Sequence, residues 1–246
     1  MKVTYIKDKE YDAWLVWVML STPDPSGNEN RANSMGINEE AFKKISSVEN
    51  FSNIKDFVLS VVDERYKIHV STIEAAIINY QKAWDVINEK FSHLIVEVTG
   101  YSWFHDIFFV VVSPFHLGVS SSGGDTVARS AFEDPQDQLR ISAHEILMSH
   151  IWSIMFKKYP ESKKDKYLHY WGLNEIATTA VLGLENSINK LWTSKMQGYD
   201  KYLSNYPQLK PLQEKLKTIY LNSAKFDEFL DRGLSLIKKK YPDRSL

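Results

Sequence analysis

The chain has 246 residues, a net charge of −1 and no cysteine. The near-neutral charge gives no electrostatic footprint for nucleic acid or an acidic membrane surface. The absence of thiols excludes disulfides and thiolate zinc sites, so any metal must be held by His, Asp or Glu. At 43% apolar and 25% charged residues, with 13% aromatic, the composition is that of a globular protein with an aromatic-rich core. The first twelve residues are too charged for a signal peptide. The apolar run 13–20 is far short of the roughly 20 residues that span a bilayer. These features predict a soluble, cytoplasmic protein without membrane or nucleic-acid partners.

Residues 13–20 form a continuous β-branched and aromatic run, which reads as a buried strand. Residues 21–36 are rich in Ser, Pro, Gly and Asn and read as a loop. Helices are expected near residues 38–47 and 53–66. Ser71-Thr72-Ile73-Glu74 is a capping box that opens a long helix. In that helix Ile73, Ala76, Ile77, Tyr80, Trp84, Ile87 and Phe91 share one face. The helix can run to Val98 and stop at Gly100, although residues 94–98 alone also fit a strand.

Residues 107–112 make the clearest strand, closed by Ser113-Pro114. Segments 116–120 and 126–130 flank a Gly-rich stretch at 121–125 and read as a hairpin. Asp134-Pro135 starts a helix over residues 134–157, with Asp as cap and Pro at the first helical position. From Ile141 onward this helix is apolar almost all round, which marks a central buried element. Further helices are expected over residues 173–192, 209–220 and 226–240. The predicted fold class is α+β, a small edge-strand sheet packed on a mostly helical body. Residues 1–70 form an N-terminal α/β segment packed on a domain spanning 71–246, or the two are continuous.

Chemistry concentrates on the 134–157 helix. His144 and Glu145 are adjacent in its apolar middle, and a buried carboxylate needs a partner. Glu175 follows 31 positions later, in the helix after the next loop. Zinc in hydrolases is often held by two His of one helix and a Glu of the following one. The Glu beside the first His then acts as general base on the metal-bound water.

On these residues the stretch 71–192 resembles the zincin metallopeptidases of the gluzincin type. The resemblance implies a zincin-like core and a zinc-dependent metallopeptidase-like hydrolase acting on a peptide or protein substrate. His144 and Glu175 would be zinc ligands and Glu145 the general base. The sheet edge beside the metal helix would accept an extended peptide as an added strand.

The chain departs from the family's His-Glu-x-x-His motif, because Met148 stands at the second ligand position. A thioether is a poor zinc ligand. His150 lies about 120° from His144 around a regular helix and joins it only if the helix is distorted. Three readings stay open. His144, His150 and Glu175 bind zinc on a distorted helix; or the second ligand comes from elsewhere or is lost, leaving a zincin-fold binding or interaction protein; or His144 and Glu145 are a buried polar pair in a helical core. His169 is a candidate transition-state contact and also a replacement ligand. His116 is a candidate substrate contact. Asn174 and Thr178 are candidates to orient Glu175 or His144.

Overall fold

A computed structural model describes residues 1–22, 28–115, 123–163, 169–199 and 209–242. The chain is mostly helical, with one three-stranded parallel sheet in the order β1-β2-β3. Strand β1 (Lys2–Ile6) alternates outward polar residues with buried Val3 and Tyr5. It pairs with β2 (Ile107–Ser113) in a register that sets Val3 beside Phe108 and Tyr5 beside Val110. β2 pairs in turn with β3 (Thr126–Ser130), Val110 beside Val127 and Val112 beside Arg129. The central strand is buried along nearly its whole length, as strands of a parallel sheet covered on both faces are.

One expectation about the sheet is corrected. Residues 13–20 are not a strand; they belong to helix α1 (Lys9–Ser21). An all-apolar octet has no period of its own, and its neighbours decide. The Asp8 carboxylate accepts from the Tyr11 amide and caps the helix at the N-terminus. Ala13, Val16 and Leu20 are then buried at helical spacing. Residues 126–130 are a strand, as expected, and they pair in parallel with β2. Residues 116–122, which carried the other predicted arm and His116, lie outside the described residues. β1 had no sequence expectation at all.

The predicted loop 21–36 contains helix α2 (Asn28–Ser34). It closes the end of α1: the Asn28 amide donates to the Leu20 carbonyl at 2.9 Å and Arg31 to the Met19 carbonyl at 2.6 Å. Helix α3 (Glu39–Ser46) is capped by Asn38. Helix α4 (Lys55–Asp85) runs straight through the expected break and the proposed capping box. It is kinked at His69, where φ is −112° and ψ is 17°. Glu74 does not cap anything; it pairs with Lys7 at 3.0 Å. The predicted face of Ile73, Ala76, Tyr80 and Trp84 is buried. A break at Ile87 starts α5 (Asn88–Thr99), and Gly100 ends it in the left-handed conformation at φ 73°. The boundary expected near residue 70 coincides with the His69 kink of α4. A single apolar cluster runs from Val3 to Ile237.

Helix α6 (Asp137–Lys158) begins as expected. The Asp134 carboxylate accepts from the amides of Gln136 and Asp137 at 2.8 and 3.2 Å. Tyr80 of α4 fixes the entry to this helix through hydrogen bonds with the Ser130 and Glu133 carbonyls and the Glu133 amide. Helix α7 (His169–Leu184) starts a turn earlier than predicted and stops at Leu184, where Glu185 leads into the short α8 (Asn186–Asn189). Helices α9 (Lys210–Leu221) and α10 (Phe226–Lys240) pack on α7 and on each other. α6 thus lies between the sheet and the C-terminal helices, touching β3 on one side and α7 on the other. Among the described residues no helix is long and apolar enough to cross a membrane.

Asp12 is fully buried where α1 meets α4, and the Tyr66 hydroxyl donates to it at 2.7 Å. Burial pushes its carboxyl up to about 7. The folded chain therefore keeps a proton that the unfolded chain loses near pH 4. Stability from this group is full at lower pH and falls as pH rises to about 7. Asp12→Asn keeps an acceptor for Tyr66 and removes the titration. It is expected to gain stability over the wild type progressively between pH 4 and 7, on the order of 4 kcal/mol at most. Urea midpoints measured across that range test this.

Candidate functional site

The site forms where α6 and α7 face each other. His144 Nε2 lies 3.2 Å from Glu175 Oε2, and both side chains are buried. At this distance the two side chains stand as a buried polar pair across the α6–α7 interface. Two ligands on one tetrahedral zinc, at about 2.0–2.1 Å each, stand about 3.3 Å apart. The spacing of these two atoms matches that edge.

Glu145 is half-buried beside them. Its carboxyl is pushed above the ordinary range, first by burial and then by the charges of Glu175 and Glu133; His144 and Arg129 pull the other way. A carboxyl raised toward neutrality is suited to proton transfer. Arg129 of β3 forms a nearly buried ion pair with Glu133. Tyr11 of α1 donates to the Thr126 carbonyl at 3.3 Å and also feels the Glu145 charge. Sequence reasoning missed Tyr11, Arg129 and Glu133. Arg129 carried one usable signal, a charge in the middle of a predicted strand.

The second zinc ligand is not supplied. Met148 is buried at the position where the family's motif has His. Its backbone carbonyl accepts from Asn174 Nδ2 at 3.0 Å, and Asn174 Oδ1 accepts from Thr178 at 3.2 Å. Asn174 and Thr178 therefore tie α7 to the α6 backbone, where the sequence had them as candidates to orient Glu175 or His144.

His150 points elsewhere. Its ring packs on Trp103 and Phe104, with centroids 4.5 and 5.5 Å away. His169 is buried, and its Nε2 donates to the Tyr241 carbonyl at the end of α10. His116 lies outside the described residues. The structure thus brings together His144, Glu145 and Glu175, and brings neither His150 nor His169 to them. Among the described residues no group of three His, Asp or Glu side chains is placed to hold a metal ion.

Chemically, the site offers one imidazole, one buried carboxylate and one carboxyl of raised affinity for protons. A thioether stands where the resemblance calls for the next imidazole. Comparison of the chain with protein-family models, curated proteins and solved structures finds no match.

Asn174 is the polar strut of the site, and its removal takes away the cross-helix bond to the Met148 carbonyl and the side-chain acceptor of the Thr178 hydroxyl. Asn174→Ala is expected to cost about 1–3 kcal/mol of stability, measured by urea unfolding.

Proposed function

We propose that this chain is a zincin-type protein whose α6–α7 site has lost peptidase catalysis and serves as a binding site for a peptide or protein partner. The observation that carries this reading is Met148. It is buried at the second ligand position and locked there by the Asn174 hydrogen bond to its own carbonyl. The residues present do not complete a three-ligand zinc site, so no hydrolytic step is derived through a metal. The surrounding framework of the family's site persists: a histidine followed by glutamate on one buried helix, and a glutamate on the next helix within 3.2 Å of that histidine.

One observation favours the second reading, a zinc-dependent metallopeptidase-like hydrolase. The 3.2 Å between the two side chains is close to the spacing of two ligands on one tetrahedral zinc. In that case His144 and Glu175 hold the zinc, and Glu145 is the general base on the water it activates.

Zinc content and peptide hydrolysis of the purified chain separate the two. The binding reading expects no zinc that depends on His144 or Glu175, and no peptide hydrolysis that falls on Glu145→Gln. It also expects Met148→His to gain one zinc per chain, lost again on Glu175→Gln. Wild-type zinc lost on His144→Ala, together with hydrolysis lost on Glu145→Gln, overturns it in favour of the hydrolase.

A further inference from the structure

A cavity of about 260 Å³ lies where the turn between α9 and α10 meets the end of α5 and the α7–α8 junction. α6 contributes nothing to its lining. The walls are of two kinds. Tyr220, Phe226 and Phe229 give an aromatic side: the Tyr220 ring meets Phe229 edge-on at 5.2 Å, and Phe226 lies 5.9 Å from the same ring. Rings of this kind hold an apolar body and attract a cation. Glu97, Glu185 and Lys225 give a charged side. An apolar cavity with a few convergent polar groups is the usual form of a small-molecule site.

Glu185 is the fixed point of the charged side. It is half-buried just past the end of α7, and its backbone carbonyl accepts from the Ile188 and Asn189 amides at 3.1 and 2.8 Å. The Tyr220 hydroxyl donates to its Oε1 at 2.5 Å. Burial, and then Glu185 itself, push that hydroxyl up, so it stays a donor. The carboxylate is thus oriented through one oxygen and has a second with which to accept from a ligand. Glu97 and Lys225 are exposed and belong to the rim. The turn that closes the cavity is tied down. Ser223 Oγ donates to the Ile219 carbonyl at 2.7 Å, and the Ala224 amide to Glu228 Oε2 at 2.8 Å. A cavity held in shape by its own bonds lowers the ordering cost of binding.

We propose that this cavity binds a free α-amino acid with an apolar side chain. The ammonium meets the Glu185 carboxylate, with Glu97 adding negative charge at the rim. The ligand's carboxylate meets Lys225, and its side chain lies against the Phe226 and Phe229 rings. A simple cation would be opposed by Lys225, and a simple anion by two glutamates. A zwitterion matches both signs. The assignment does not depend on the reading of the α6–α7 site.

Calorimetric titration of the full chain with L-phenylalanine tests this. One molecule per chain is expected to bind, and to bind equally well after His144→Ala. Glu185→Gln keeps an acceptor for Tyr220 and removes the charge; it is expected to weaken binding at least tenfold. Lys225 is exposed, so Lys225→Met leaves the core intact, and it is expected to weaken binding about threefold. Hydrocinnamate, which lacks the ammonium, is expected to bind at least tenfold more weakly than phenylalanine. A wild-type chain that binds no phenylalanine at millimolar concentration overturns the proposal, and so does a Glu185→Gln chain that binds it as the wild type does. Hydrocinnamate bound as tightly as phenylalanine overturns it too, because the ammonium is then not recognised. L-phenylalaninamide bound as tightly as phenylalanine overturns the free amino acid in favour of a peptide N-terminus.

Discussion

The near-complete burial of α6 is the constraint on which the rest of the molecule depends. A helix with so little exposed surface must find protein partners for most of the polar side chains it carries. Ser149 reaches the Gly124 carbonyl and Ser142 reaches Gln138, which also receives the Tyr5 hydroxyl from β1. His144 is met by Glu175 across the helix interface. Through Tyr5, Gly124 and Glu175 these contacts tie three other parts of the chain to the same rod. The sheet, α7 and the segment leading into β3 are therefore positioned by the chemistry of one helix as much as by its apolar packing.

That helix, its Asp134 cap and its apolar middle were legible in the sequence because three local signals agreed. The approach of Glu175 to His144 was expected only from the zincin resemblance, because no spacing within either helix encodes it. Other features are decided by distant chain. The octet 13–20 has no polar residue to reveal a period, and only its cap and its packing against α3 and α4 make it a helix. The parallel pairing of β2 and β3 depends on how the intervening chain crosses, which no alternation pattern encodes. The aromatic walls around His150 come from residues more than forty positions upstream, with no spacing that links them to α6.

α6 carries two histidines six positions apart, and their fates differ because their neighbours differ. His144 meets the Glu175 carboxylate of the next helix. His150 meets indole and phenyl rings, which suppress its protonated form. The chain could not use both in one metal site without unwinding the helix between them, and the Asn174–Met148 bond holds that stretch in regular form. The departure at Met148 and the separate surroundings of His150 are two consequences of the same rigid turn.

The sheet carries a further consequence, for the order of assembly. β1 pairs Lys2 with Ile107 and Ile6 with Val111, so the first strand made is joined to a partner about a hundred residues away. During synthesis it emerges with both edges bare, and it stays so until α1 to α5 have been made. The Gln81 side chain of α4 bonds the Val3 carbonyl and the Tyr5 amide on the edge that β2 leaves open. An amide on a helix made well before β2 can dock on this strand first. It would shield a free edge from pairing with another nascent chain.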